Sequence, residues 1–533
     1  MGEAVSDDSS GVPLESTYVV SGEVSAQTIT RSLQALLPTR HRAIGRQRFT
    51  LLDTVDGRVC RAGGRLTHSA VGGQSVFSWK ASGRGSELAV RLPQPASFAW
   101  DFPDGALYRA LASVVGPRRL LPQAEAEECG SILDVLDDRG KTVARVCIEF
   151  GQARLPTPRA SWQPLPTIVT LSGLRGYSAH YERLVPVVQS RPGIRACPEG
   201  SQSVIRRHIG APEPHDVSAL RLDLASGVQA DAGARQIHLA LLEIMLSNQS
   251  GLQANLDSEF LHDFRVAVRR TRSLLGQIKQ VFGEDAVNHF SSEFSWLGKL
   301  TGPPRDLDVL MLTLRERRRQ IPFEGFEAVI AFLEQKRREE HVRLVEALTG
   351  ERFKRLTSEW QAFLQQPASQ PPSAPNARRP LADVVFERAW RLSRKIGRLA
   401  AGLDEATAAE AVHDLRVRAK KLRYLVDVTP GSGEDANLKR VLVALKALQR
   451  VLGDFNDAHV QEQRLIECRA AIAATAPADS SLGAIERLTA QARDRRERLR
   501  RDVVAEARRF RRRSVRSACR GAFRRTRRTA PGT

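Results

Sequence analysis

The chain has 533 residues, 42% hydrophobic and 26% charged, which is long enough for two to four domains with separate cores. Its formal net charge of +21 favours polyanions or anionic surfaces as partners. Six scattered cysteines without a C-x-x-C pair disfavour a structural zinc site and a disulfide framework. The first residues lack a signal-peptide pattern, and no apolar run reaches the roughly 18 residues that a membrane span needs. We therefore expect a soluble, cytoplasmic protein without a membrane partner.

The N-terminal part of the chain has the composition of an antiparallel sheet. Residues 1–15 are expected to be disordered. After them, short runs rich in Val, Thr and aromatics alternate with Gly and Asp-Gly turns. The sequences RFTLLDTVDG, RVCRAGGRLTHSAV, SVFSWKAS and ELAVRL are predicted strands, and residues 138–140 a hairpin turn. SAQTITRSLQALLP and LYRALASVV are predicted helices.

This sheet-like part resembles the CYTH, or triphosphate-tunnel, family over about residues 15–195. RFTLLDTVDGRVCRAGGRL is similar to that family's hairpin, and TLSGLRGYSAHYERLV to its Arg-Gly-Tyr helix. SVFSWK is similar to a strand that ends in a phosphate-binding lysine, so the resemblance implies a residual phosphate contact at Lys80. It also implies an antiparallel barrel or sheet over residues 16–195.

Several positions depart from the family pattern. The family's first strand reads E-x-E-x-K, and in STYVV we place those three positions at Ser16, Tyr18 and Val20. Thr67 and Ser69 stand where the family has arginines. Metal-assisted phosphoryl transfer needs oxygen ligands and cations together. We therefore expect a degenerate, inactive domain with no metal or other cofactor. The alternative is an inorganic triphosphatase, which would need Mg²⁺ or Mn²⁺.

Residues 196–215 are rich in Pro, Gly and charge and are predicted to be a linker. Helical periodicity follows over residues 216–365 and 381–510, with a Pro-rich connector at 366–380 and a basic tail at 511–533. The two helical stretches carry matching motifs, LHDFRVAVRRTR and VHDLRVRAKKLR, 151 residues apart. LGKLTGPPRDLDVL and LQRVLGDFNDAHVQ match at the same offset, which indicates an internal duplication.

Each motif places a histidine and three cations on one edge of a helix. At 100° per residue, the four positions of the first motif span roughly 80°. An apolar stripe lies beside them. The first set is His262, Arg265, Arg269 and Arg272, and the second is His413, Arg416, Lys420 and Arg423. A single helix of this kind is as often a solvent-exposed surface helix as a binding site, but the repetition of the pattern favours a polyanion-binding face.

These motifs resemble the conserved-histidine α-helical domain, CHAD, over about residues 216–520. The resemblance implies two helical repeats with a basic groove between them that binds inorganic polyphosphate. We expect both histidines, the six cations and Arg305 to contact phosphate, and the histidines not to act as acid–base catalysts. Metal ligation is disfavoured, because neither histidine has a second His or Cys at ligand spacing.

The fold class expected from both resemblances is α+β in two domains. An N-terminal antiparallel barrel or sheet precedes an all-α duplicated bundle. The expected location is the cytoplasm, with polyphosphate granules as the candidate site within it. Nucleic-acid binding through the Arg-rich tail is the remaining alternative, and the sequence leaves the oligomeric state undetermined.

Overall fold

The computed structural model describes residues 15–81, 87–212, 218, 220, 222–225, 227–320, 326–366, 374–429, 435–475 and 481–524. The chain divides into two compact units, residues 1–216 and 217–533. The disorder predicted for residues 1–15 falls on positions outside the described residues, apart from Glu15. Parts of the predicted connector (367–373) and tail (525–533) also lie outside them.

Within its described residues, the first unit is an antiparallel sheet with five α-helices, which confirms the expected fold class for this part of the chain. The strands are β1 Glu15–Val20, β2 Thr39–Asp53, β3 Arg65–Val71, β4 Gln74–Lys80, β5 Leu88–Leu92, β6 Leu121–Leu136, β7 Thr142–Arg154, β8 Gln163–Pro164, β9 Ile168–Gly173 and β10 Ile194–Ala196. The helices are α1 Ala26–Gln34, α2 Arg58–Arg61, α3 Ala106–Val115, α4 Ser178–Gln189 and α5 Ser201–His208.

The strand ladder is open rather than a closed barrel. Its order is β10-β1-β9-β7-β6-β2-β3-β4-β5, with β8 paired to β7. The sheet nevertheless curls far enough to bring the ammonium of Lys80 on β4 within 3.1 Å of the carboxylate of Glu15 on β1. Helices α1 and α4 cover one part of the outer face through Ile29, Leu33 and Leu184, and α3 covers another. The inner face is concave and polar.

Two segments of this unit differ from the sequence-based prediction. Residues 58–61, predicted as strand, form the short helix α2, because the buried carboxylate of Asp53 accepts the backbone N–H groups of Val59 and Cys60. The predicted linker at 196–215 contains α5, whose Val204 and Ile205 are buried against the inner face of the sheet. Apolar burial therefore holds this segment in the first unit.

The second unit is all helical, as expected. Its helices are α6 Ala230–Gln253, α7 Ser258–Gln277, α8 Glu284–Leu300, α9 Gly302–Gln320, α10 Phe326–Thr349, α11 Glu351–Gln365, α12 Leu381–Leu399, α13 Ala409–Asp427, α14 Ala436–Thr475, α15 Ser481–Phe510 and α16 Arg513–Phe523. The helices α7 and α13 carry the two matching motifs.

The ends of the predicted connector and tail are ordered parts of this bundle. Ala377 is buried, and the backbone N–H of Asn376 donates to Gln280 at 2.7 Å. Helix α16 lies inside the predicted tail, and its Cys519 and Phe523 are buried. A basic composition therefore did not exclude a packed helix here, because the apolar residues share one face.

Candidate functional site

The first cationic helix, α7, is positioned by its cap and by its buried face. The side chain of Asp257 caps its N-terminus and accepts the backbone N–H groups of Glu259 at 2.9 Å and Phe260 at 3.4 Å. Phe264 and Val268 are almost completely buried. This packing sets the rotation of the helix and turns its row of cations toward α13.

The second cationic helix, α13, is positioned in the same way. Val412, Leu415, Ala419 and Leu422 occupy successive turns of one face, and all four are buried. The row that starts at His413 therefore lies along the edge of this helix, as the equivalent row does on α7. The two rows meet in one cavity.

That cavity has a volume of about 1150 Å³ and lies between the two helical repeats. We call it the cationic groove. Ten Lys and Arg side chains line it, against three Asp side chains, among the residues the structure describes. The cations are Arg265, Arg269, Arg272, Arg305, Arg416, Lys420, Lys421, Arg450, Arg464 and Arg495. The acids are Asp306, Asp454 and Asp457.

Eight of the nine predicted groove residues line this cavity, including His262 and His413. Arg423 is the exception. Its Nε donates to the carboxylate of Asp427 at 2.6 Å, one turn further along α13. At the equivalent position of α7 stands Gly276, so Arg272 has no such acid one turn away and donates instead to the hydroxyl of Ser295 on α8. The prediction for Arg423 as a phosphate contact is therefore not supported by its position.

Two cations of the first repeat, Arg265 and Arg269, donate hydrogen bonds to neutral groups. Arg265 donates to the carbonyl oxygen of Gly298 at 3.2 Å, and Arg269 donates to the hydroxyl of Tyr424 at 2.8 Å. The second of these bonds joins α7 to α13. Arg305 donates to the carbonyl oxygen of Ser258 and lies 3.6 Å from Glu259. Apart from Arg305, these arrangements hold charge in the groove without neutralising it.

The second repeat contributes a histidine with a fixed ring and an arginine with an unsatisfied donor. His413 lies 3.2 Å from the side-chain oxygen of Asn456, which fixes the ring. The Nε of Arg416 is buried and has no hydrogen-bond partner among the described residues. A buried donor without an acceptor is costly unless a ligand supplies one. This guanidinium is therefore a natural place for an anion.

In the ligand-free groove, burial and the closeness of like charges disfavour the charged forms of its cationic side chains. Burial and nearby cations lower the pKa of Arg265 and of Arg416, although Asp306 and Asp457 oppose this. Burial, then Arg269 and Arg416, lower the pKa of Lys420 to about 7. An anion in the groove would relieve both causes, because it would supply the missing negative charge.

The acidic side chains neutralise only part of this charge. Asp306 accepts from Arg464 at 3.1 Å, across the groove from α9 to α14. Asp414 pairs with Arg418 at 3.0 Å, one turn along α13. The remaining excess is positive.

Four groove cations were not predicted from the sequence: Lys421, Arg450, Arg464 and Arg495. Arg450 and Arg464 share one face of α14 with Gly453, Asp457 and Val460 at helical spacing, so the periodicity of that helix could have identified them. Arg495 belongs to an arginine-rich stretch of α15 in which no spacing marks one residue as different.

The other predicted phosphate contact, Lys80, lies in a separate cavity of about 870 Å³ on the inner face of the sheet. It pairs there with Glu15 at 3.1 Å. The predicted alignment of the family's first strand with Ser16, Tyr18 and Val20 differs by one residue from the strand faces in the structure. Ser16 contacts Tyr181 on the outer side, whereas Glu15 points into the cavity. Alternation along a strand then assigns Tyr18 and Val20 to the outer core.

The described residues contain no helix long and apolar enough to cross a bilayer. Nor do they contain a group of three or more His, Cys, Asp or Glu side chains arranged to hold a metal ion. The cationic groove and the sheet cavity are two polar cavities in the described part of the chain.

Comparisons with known proteins identify a family for part of the helical unit. The family model described as CHAD domain matches residues 236–466. Two curated relatives from Mycobacterium tuberculosis, MT2285 of strain CDC 1551 and Rv2226 of strain H37Rv, are each 28% identical over 289 residues. The match covers 51% of this chain and 51% of either relative, so the chain spans about half the length of these proteins.

Solved structures with detectable similarity include the CHAD domain from the plant Ricinus communis. It is 24% identical, covers 58% of this chain and 96% of that chain, and has a TM-score of 0.45. PptA from Streptomyces chartreusis is 16% identical, with 53% and 100% coverage and a TM-score of 0.41. A candidate adenylate cyclase from Bacillus halodurans is 14% identical, with 34% and 91% coverage and a TM-score of 0.21.

Proposed function

Residues 236–466 form a CHAD domain, and from that premise we propose that this chain binds inorganic polyphosphate in the cationic groove without turning it over. One observation carries the proposal. Two helices from duplicated repeats direct matched residues, His262 with His413 and Arg265 with Arg416, into a single cavity. A linear anion with charge on every phosphate is the ligand that such a doubled row of cations suits.

The composition of the groove favours polyphosphate over nucleic acid. Proteins that bind single strands usually add aromatic side chains on which the bases stack. Among the described groove residues the only Phe, Trp or Tyr is Tyr424, and its hydroxyl already accepts from Arg269. Arg270 lies 5.6 Å from the centroid of the same ring. The ring therefore serves the contact between the repeats and is poorly placed to stack on a base.

The decisive test removes charge from both rows at once. Charge reversal at Arg265, Arg269, Arg416 and Lys420 should weaken retention on immobilised long-chain polyphosphate by at least about a hundredfold, because four charge-assisted contacts become repulsive. A quadruple glutamine variant, which buries no new charge, should weaken it in the same direction. Circular dichroism and thermal unfolding verify that each variant is folded.

A matched control reverses four exposed cations on α10 and α11 that do not line the groove: Arg338, Arg343, Lys354 and Arg355. It changes the net charge by the same amount, so binding that depends only on net charge would fall equally in both quadruple variants. Binding through the groove should survive the control. Retention by the folded groove variants at wild-type strength would refute the groove assignment.

Polyphosphate binding would also direct the chain to polyphosphate granules, which microscopy of the same variants can examine.

A further inference from the structure

The inner cavity of the sheet has the opposite electrostatic character to the groove. Five carboxylates and three cationic side chains line its described part, an excess of two negative charges in a chain whose net charge is +21. The acids are Glu15, Glu87, Glu128, Glu149 and Glu199, and the cations are Arg65, Lys80 and Arg145. A cavity with this balance repels phosphate and attracts cations.

The ion pairs inside the cavity leave one carboxylate short of a partner. Arg65 lies 2.7 Å from Glu128 and 4.0 Å from Glu149, and Lys80 pairs with Glu15. Arg145, the third cation, is drawn toward Asp134, to which its Nε donates at 2.9 Å. Among the described side chains, two cations thus serve three interior carboxylates.

Glu149 is the carboxylate with the weakest compensation. Its contact with Arg65 is longer than that of Glu128 by more than 1 Å. Burial raises the pKa of Glu149, and the charges of Glu128 and Glu15 add to the effect against Arg65 and Lys80. The ionised form of this side chain therefore needs a further positive charge nearby.

The wall of the cavity supplies an unused acceptor as well. Gln202 on α5 is 3% exposed, and its side-chain oxygen has no hydrogen-bond partner among the described residues. Its amide nitrogen is directed to Asp53 at 3.4 Å. The hydroxyls of Thr170 and Ser172 line the same space. Acceptors combined with an uncompensated carboxylate suit a ligand that donates hydrogen bonds and carries positive charge.

We propose that this cavity binds a small aliphatic amine, with an ammonium group paired to Glu149. An ammonium supplies three donors and one positive charge, which is what the interior carboxylates and the Gln202 oxygen lack. A diamine matches the excess of two negative charges, and the apolar surface of Phe49 and Ile132 suits its methylene chain. The described side chains provide no metal-ligand cluster, which favours an organic cation over a metal ion. This inference is independent of polyphosphate binding.

The experiment uses the full chain and 1,4-diaminobutane as the probe, at constant ionic strength. Calorimetric titration should give saturable binding, and the probe should raise the Tm. The neutral isostere 1,4-butanediol should do neither. Glu149→Gln should weaken amine binding by at least about tenfold while the variant remains folded, because the neutral amide removes the charge and retains the shape. Glu182→Gln, at an exposed position on α4, is the matched control and should bind as the wild type does.

Each other outcome counts against the proposal. Absence of saturable binding to the folded wild type would overturn it, and so would binding that Glu149→Gln leaves unchanged. A third contradiction would be stabilisation of the first unit by tripolyphosphate that is lost in Lys80→Met, since the cavity would then be an anion site. The quadruple groove variant should retain amine binding, which separates this result from the polyphosphate experiment.

Discussion

Among the groove cations, Lys420 carries the clearest cost of keeping the groove charged. Burial, Arg269 and Arg416 lower its pKa to about 7, and Arg265 acts in the same direction against Asp457. Replacing it by Gln should therefore stabilise the ligand-free chain by roughly 1–3 kcal/mol near pH 6.5 while weakening polyphosphate binding. Chemical denaturation measures the first effect, and retention on immobilised polyphosphate the second. A variant that is both less stable and weaker in binding would show that Lys420 is mainly structural.

The same residue predicts how stability depends on pH. Below about pH 7 Lys420 is protonated in the folded and unfolded chains, so the folded state carries the full cost. Between about 7 and 10.5 the unfolded chain retains a proton that the folded chain has released, so the free energy of unfolding rises with pH. The stability advantage of Lys420→Gln should therefore shrink across this window. Denaturation curves at several pH values test the sign, and an advantage that grows with pH would contradict it.

Binding should show the complementary dependence. A polyanion raises the pKa of Lys420, so polyphosphate binding at pH 8 to 9 takes up a proton and weakens as the pH rises. Titration calorimetry in two buffers of different ionisation heat measures that uptake. Lys420→Arg stays charged throughout this range and is the matched variant, which should bind without proton uptake. Equal proton uptake in both proteins would assign the effect to another group.

At the residue scale, sequence periodicity predicted the two matching cationic rows, but not Lys421, Arg450 or Arg464 on the same helices or the next. The rows on α7 and α13 follow from 3.6-residue periodicity, and so does their apolar support. Arg423 departs because Asp427 lies one turn away in α13, a local competitor that motif matching ignores. Arg495 could not be identified, because only the packing of α15 against the bundle distinguishes it from its arginine neighbours.

At the scale of elements, α16 shows that a basic sequence can be part of the core. Ala518, Cys519, Ala522 and Phe523 are buried on one face of this helix, and Phe523 lies 6.3 Å from Phe386 of α12 between ring centroids. Ending the chain after residue 512 should cost on the order of 3 kcal/mol, since that face leaves the bundle. Thermal and denaturant unfolding measure the loss.

Ending the chain after Arg524 instead removes the last nine residues and keeps α16, so it is the control for the truncation after residue 512. It should leave stability and polyphosphate retention unchanged. If the final arginines capture nucleic acid, this truncation should lower RNA and DNA binding selectively. A loss of polyphosphate binding in this variant would place the site in the tail and contradict the groove proposal.

The elements that sequence analysis predicted best are those with long, regular periodicity. The duplication at an offset of 151 residues and the long helices belong to this class. Helix α5 has only eight residues and lies among Pro, Gly and charge, so its two buried apolar side chains give too little signal. The register of β1 was missed because a shift of one residue exchanges the faces of a strand, and only the pairing with β9 determines it.

At the scale of the whole molecule, the two units divide the charge unequally. The groove gathers ten Lys and Arg side chains, whereas the sheet cavity is net negative among its described lining residues. An overall charge of +21 cannot reveal this division, because composition averages over both sites. The consequence is that the unit with the resemblance to a phosphate enzyme is the one less suited to hold phosphate.

This distribution predicts the outcome of an activity assay on the full chain. Tripolyphosphate entering the sheet cavity would have to displace Glu15 from Lys80 and Glu128 from Arg65, and would still face an excess of carboxylate. We therefore expect no release of phosphate from tripolyphosphate with Mg²⁺ or Mn²⁺ above the rate in buffer, and no difference between the wild type and Lys80→Ala. Turnover that needs metal and disappears in Lys80→Ala would establish the triphosphatase alternative. It would also require Lys80 to leave Glu15 when substrate arrives.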